Sequence, residues 1–160
     1  MKPKNRKQAI EYDCAFVFLS LYNNQFKTDY QIMELSDIPD IKCKDRLTNA
    51  ELYLEITLHE DIKGEIPFLL GRTKKKPTAQ PRKGTVKNGE DESLIILIDV
   101  INKKLLKKYG KNVALVVRHM SSKSWNLNVE QVKNSLDLKN HPFDKGIWIV
   151  TSDFSIIRID

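Results

Sequence analysis

Near the start of the chain, apolar residues recur at helical spacing at Ala9, Ile10, Cys14, Ala15, Phe18, Leu21 and Tyr22, predicting an amphipathic helix over about 5–23. Two segments of strand length follow, 30–35 and 38–44. A strand alternates its faces with period two, so in the second Asp40, Lys42 and Lys44 would share one face and Ile41 and Cys43 the other. Arg46-Leu47-Thr48-Asn49 reads as a hairpin turn, and 51–59 is the strongest strand of the chain. There Leu52, Leu54, Ile56 and Leu58 share one face, while Tyr53, Glu55 and Thr57 share the other. Residues 61–70 fit neither period. A helix over 93–109 carries the stripe Leu94, Leu97, Ile98, Ile101, Leu105 and Tyr109, with Gly110 as its stop. The apolar run 113–118 is of the kind buried on both faces. Beyond it, 128–137 reads as a short helix, and 146–150 and 154–159 as two strands around Thr151-Ser152-Asp153. The order of helix, three strands, long helix, strand, short helix and hairpin predicts an α/β fold. No internal repeat interrupts it, and 1–160 is expected to form a single domain.

Three carboxylates break this pattern. Glu55 sits in the middle of a strand, where a charge needs a partner, a metal ion or water. Asp40, in Pro39-Asp40, opens the preceding strand, and the two could offer oxygens to one divalent cation if their segments pair as neighbours. On a helical wheel Glu11 falls near the middle of the first stripe, aligned with Cys14, Ala15, Phe18 and Tyr22. Plainer readings stand beside these. Pro-Asp is a common turn opener, a Glu on the solvated face of a strand is ordinary, and an acid early in a helix is favoured by the dipole.

Charge changes the picture more than composition does. The formal net charge is +6, yet Arg72, Lys74, Lys75, Lys76, Arg82, Lys83 and Lys87 lie within sixteen residues that hold no acid, so the rest of the chain is close to neutral. Such a concentrated basic segment is the footprint expected for a polyanion, DNA or RNA. Pro77, Pro81, Gly71, Gly84 and Gly89 predict a flexible loop over about 71–91. It carries no aromatic residue to stack on bases, so it argues for phosphate-backbone affinity rather than base reading. Cys14 and Cys43 form no metal-ligand spacing and no disulfide framework. Without a signal-like or membrane-length apolar run, the expectation is a soluble cytoplasmic protein with reduced thiols and no membrane partner.

Taken together, the amino-terminal helix with Glu11, Pro39-Asp40, Glu55-Ile56-Thr57, the lysine-rich run Lys103-Lys104-Leu105-Leu106-Lys107-Lys108-Tyr109 and the closing Phe143-Asp144-Lys145-Gly146-Ile147-Trp148 resemble the restriction-endonuclease-like PD-(D/E)xK nuclease superfamily. The likeness is nearest to branches with a Pro-Asp…Glu-x-Thr core and covers most of the chain. It implies a central mixed β-sheet flanked by helices and a site in which Asp40 and Glu55 bind Mg²⁺ or Mn²⁺, with the Thr57 carbonyl as a further ligand. It also implies hydrolysis of a phosphodiester by a water made more acidic by the ion. Glu11 would bind a second ion or orient that water. Nucleic acid, DNA ahead of RNA, would be the partner, and pairing into a homodimer would let two sites cut two strands.

Thr57 stands where the family's lysine would be, and threonine cannot supply the charge that steadies the transition state. Lys104 is the candidate for a displaced lysine. With the stripe of its helix turned inward, Lys104 leans over the buried edge, whereas Lys103 projects outward. His59, on the same strand face as Thr57, is a second candidate for orienting a water. Three functions remain open on the sequence: a metal-dependent nuclease, a catalytically inactive nuclease fold that binds nucleic acid through its basic loop, and a module docking an acidic protein.

Overall fold

In the computed structural model, which describes residues 3–60, 63–77, 86–87, 90–119 and 127–160, the chain opens with α1 (Arg6–Phe26). Asn5 caps it by accepting from the Gln8 N–H. The helix ends at Lys27 in the left-handed region, φ 55°, a common way to close a last turn. Three strands follow as an antiparallel meander: β1 (Tyr30–Leu35), β2 (Ile41–Asp45) and β3 (Glu51–His59). The β2–β3 turn is tied by the buried Asp45 carboxylate, which accepts from the N–H groups of Asp29 and Leu47 and from the Thr48 hydroxyl. After α2 (Glu65–Leu69) and a small ribbon of β4 (Val86–Lys87) and β5 (Glu90–Asp91) comes α3 (Glu92–Leu105), capped by Asp91. The chain then runs through β6 (Val113–His119), α4 (Val129–Asn134), β7 (Ile147–Val150) and β8 (Ile156–Arg158).

The main sheet is mixed and open, in the order β1-β2-β3-β6-β7-β8. Only β3–β6 and β6–β7 are parallel. Parallel neighbours need a crossover, and α3 and α4 lie within those two connections. Side-chain alternation splits the core into two clusters. Leu52, Leu54, Ile56, Ala114, Val116 and Trp148 pack with Ala15 and Phe18 of α1. Val113, Leu115, Val117, Ile147 and Ile149 pack with Leu94, Leu97 and Ile101 of α3 and Val132 of α4. The fold is therefore α/β, a six-stranded sheet with helices on both faces.

The short helix stops at Asn134 rather than 137 and the last strand spans Ile156–Arg158 rather than 154–159, and three further expectations shift. The second strand begins at Ile41 rather than 38, because Ser36 to Asp40 close a turn through the Ser36 N–H bond to the Asp40 carbonyl, 2.9 Å; the Ile38–Pro39 peptide within it is cis. The long helix ends at Leu105 and not at Tyr109. Its last turn tightens, with the Lys107 N–H bonding the Lys104 carbonyl at 3.1 Å, and Tyr109 leaves the helical path to set its ring 4.8 Å from that of Phe143. Finally, the basic segment expected as one loop contains β4 and β5. No described helix is long and apolar enough to cross a membrane.

Candidate active site

The ladder between β2 and β3 stops at Ile41 and Leu54, so the rest of β3 presents an open edge where β2 has ended. Asp40, immediately before β2, covers that edge: its Oδ2 accepts from the Ile56 N–H at 2.8 Å. Glu55, the residue before Ile56 on β3, points to the α3 face of the sheet. There Lys104 of α3 reaches it, Nζ to Oε1 2.6 Å, with both side chains largely buried. Lys103 turns outward and pairs with Asp99 instead. Glu11 of α1, buried, takes an ion pair from Lys7 at 2.6 Å, and the same ammonium lies 3.6 Å from Asp40 Oδ1. The three sequence-selected carboxylates and Lys104 are thus gathered at one end of the sheet. A cavity of about 220 Å³ opens there, lined by Lys7, Glu11, Asp40, Ile56, Thr57 and Lys104, with Ile66 and Leu70 of the α2 segment on its wall.

This crowding of negative charge shows in Asp40. Burial, then the charges of Glu55 and Glu11, push its carboxyl up to about 7, against the Ile56 N–H and the Lys7 ammonium. At Lys7 burial opposes the charge, but the hydrogen bond to Glu11 and the charges of Asp40 and Glu11 outweigh it and hold the ammonium above its ordinary pKa. Glu55 Oε2 and the Tyr109 hydroxyl, both buried, lie beside each other without a hydrogen bond of full geometry and with no other partner. Burial, together with the neighbouring charge of Glu55, keeps that hydroxyl in its neutral form well above the ordinary phenol range.

The Thr57 carbonyl does not face this cluster. The Tyr53 N–H bonds Asn112 across to β6, and peptide groups alternate sides along a strand, so Thr57 directs its carbonyl into the β6 ladder. The carbonyl turned to the vacated edge is that of Ile56. His59 is also placed elsewhere than at the cavity wall: its Nδ1 meets His119 Nδ1 at 2.8 Å and its Nε2 the Ser93 carbonyl at 2.9 Å, within the α3 layer. Of the basic segment, Arg72, Lys74, Lys75 and Lys76 are exposed, two to six residues beyond the cavity-lining Leu70. Arg6 of α1 packs over Gly71 and ties the start of the segment to the helix that carries Lys7 and Glu11. Arg82 and Lys83 lie outside the described residues, as does the side chain of Lys87.

Among the described residues no group of three or more His, Cys, Asp or Glu is gathered closely enough to hold a metal ion by itself. The donors that are present suit Mg²⁺ or Mn²⁺ in kind. Mg²⁺ takes one or two carboxylates and keeps several waters, and here two carboxylates repel each other across an edge where one carboxylate oxygen, Glu55 Oε2, has only the Tyr109 hydroxyl beside it.

Sequence reasoning missed Lys7, Tyr109 and the Ile56 carbonyl. Lys7 carries a legible signal, since it stands four residues before Glu11 and so on the same helix face. Tyr109 was hidden in an apparent helical stripe. The parity of Ile56 follows only from pairing with β6. Comparison of the chain with protein-family models, with curated proteins and with solved structures yields no match, so residue geometry carries the functional reading.

Proposed function

We propose that this protein is a metal-dependent nuclease with a restriction-endonuclease-like fold, hydrolysing phosphodiester bonds of nucleic acid, DNA ahead of RNA. The observation that carries the reading is the convergence of Asp40, Glu11, Lys7 and Lys104 on one cavity, with Glu55 joined to it through its ion pair with Lys104. Two carboxylates on adjacent strand segments and two ammonium groups match what phosphoryl transfer to water requires: oxygens to hold a cation and fixed positive charge where the phosphoryl oxygens become more negative.

Asp40 and Glu55, with the Ile56 carbonyl in place of that of Thr57, would hold Mg²⁺ or Mn²⁺. When bound, the ion supplies Lewis-acid polarisation of the phosphoryl group and a more acidic water. Lys104 does the work that Thr57 cannot. Its stem lies along the buried flank of α3, and its ammonium is within hydrogen-bond reach of Glu55, able to orient a water and to offset charge on the scissile phosphate. Lys7 and Glu11 form the opposite wall, Glu11 holding the ammonium near Asp40. The basic segment begins at Arg72, two residues beyond the cavity-lining Leu70, and would follow the phosphate backbone, giving affinity without base reading.

A second reading, a nuclease fold that binds nucleic acid without cutting it, is favoured by one observation. The ion pair at 2.6 Å occupies the Glu55 oxygen that Lys104 reaches, and Thr57 supplies no charge to replace it. Incubation with single- and double-stranded DNA and RNA in Mg²⁺, Mn²⁺ or chelator separates the two. Cleavage that chelator abolishes supports the nuclease. Salt-sensitive binding without cleavage supports the inactive fold, and the absence of both refutes each.

A further inference from the structure

We propose that Arg118 forms a phosphate-binding subsite beside the candidate active site; its use for a nucleic-acid backbone rests on the function proposed above. Arg118 is the penultimate residue of β6, on the α1 face by alternation with Ala114 and Val116. It stands near the carboxyl ends of the parallel pair β3 and β6, where crevices that receive ligands open in sheets of this kind. Its Nη1 is buried and makes no hydrogen bond, although a guanidinium carries five donors and no acceptor. A buried donor without an acceptor is costly, so the site is incomplete as it stands.

Arg118 also lines a second cavity of about 150 Å³, together with Asp13, Cys14, Val17 and Ile10. Ile10 also borders the cavity holding Asp40 and Glu11, so the two cavities share a lining residue. The exposed ring of Phe154 lies against the guanidinium, its centroid 5.4 Å from Cζ. Three of the lining side chains are apolar or weakly polar, and the polar wall is Asp13, which is exposed. A guanidinium with a buried unpaired donor beside a cavity suits a phosphate oxygen, and Ile10, Cys14 and Val17 limit the water that would weaken that hydrogen bond, while the exposed Asp13 carboxylate opposes the anion in part. The ligand chemistry is therefore a phosphate oxygen. Its source is a nucleic-acid strand whose neighbouring phosphate occupies the first cavity, or free phosphate.

Two measurements in chelator test this without any cutting. In the first, fluorescein-labelled oligonucleotides are titrated by anisotropy with the parent, Arg118→Gln, Arg118→Lys and, as a control on another surface, Lys139→Gln. Arg118→Gln should weaken binding about tenfold, the size of one lost charge-assisted hydrogen bond, and lower the log–log salt slope by roughly 0.7 to 0.9. Arg118→Lys should recover the slope but not the full affinity, because an ammonium keeps the charge and loses the fork. In the second, inorganic phosphate is titrated into ¹⁵N-labelled protein and the Arg118 Nε–H and Cys14 amide signals are followed. Shifts in the parent that vanish in Arg118→Gln, with oligonucleotide binding unaffected by the substitution or absent, assign the subsite to free phosphate. Unchanged oligonucleotide affinity and no phosphate-dependent shift would overturn the proposal. Failure of the parent to bind any oligonucleotide would count against the nuclease reading alone.

Discussion

Replacing Asp40 by asparagine should remove the pH dependence of stability that the clustered carboxylates impose. In the folded protein the Asp40 carboxyl is raised to about 7 by burial and by Glu55 and Glu11, whereas in the unfolded chain an aspartate titrates near about 3.9. The native state therefore binds the proton more tightly. Its stabilising effect is fully present below the unfolded pKa and is lost as pH rises through the folded one. At about 1.4 kcal/mol per pH unit, the interval of roughly three units sets an upper bound of about 4 kcal/mol. Because the Ile56 N–H and the Lys7 ammonium favour the charged carboxylate and offset part of this repulsion, a loss of about 2 to 4 kcal/mol is expected. In Asp40→Asn the side-chain amide would retain an oxygen for the Ile56 N–H and would carry no charge. Urea unfolding in chelator, from about pH 4 to pH 9, should show the parent losing stability across this window and Asp40→Asn losing little, so that the variant is the more stable above about pH 7. A variant that falls in parallel with the parent would refute the reasoning. Mg²⁺ in place of chelator should stabilise the parent more above pH 7 than below, by relieving the same repulsion, and should act weakly on the variant.

Lys104→Met should reduce metal-dependent cleavage at least 10²-fold in a nicking assay, the usual scale for losing one electrostatic contact to the transition state, whereas Lys103→Met, on the exposed side of α3, should leave the rate unchanged. Lys7→Met should tighten Mn²⁺ binding about fivefold by calorimetry, roughly 1 kcal/mol of removed repulsion after allowing for the half-exposed side chain; an unchanged or weaker affinity would place the ion away from Asp40 Oδ1. Replacing Lys74, Lys75 and Lys76 by Gln should lower the log–log salt slope of oligonucleotide binding by roughly 0.7 to 0.9 for each phosphate contact removed, and an unaltered slope would assign the segment another role.

Most of the secondary structure was legible along the chain because local periodicity and burial agree there. The stripe from Ile10 to Tyr22, the alternation over Glu51–His59 and the apolar run at Val113 each have one geometry that buries them. Glu11, Asp40, Glu55 and Lys104 were also visible, since each puts a charge on or beside a face that is otherwise apolar, and such conflicts can be seen without coordinates. What the sequence could not decide depends on pairing and on the third dimension. The end of the β2–β3 ladder at Leu54, and hence the edge that Asp40 covers, is set by register between two strands. The turning of the Thr57 carbonyl away from the cluster follows from β6, more than fifty residues later, taking the other edge of β3. Tyr109 was assigned to a helix by its spacing, and it leaves that helix because Phe143 offers its ring a buried surface. Arg118 lies in an apolar run that reads as buried on both faces. Only the packing of α1 against the sheet reveals that Arg118 lines a cavity and that its Nη1 is buried without a partner. Local periodicity selects which residues are buried, but the partners that a buried charge meets are chosen by long-range strand order and helix docking, for which no single stretch of sequence carries the information.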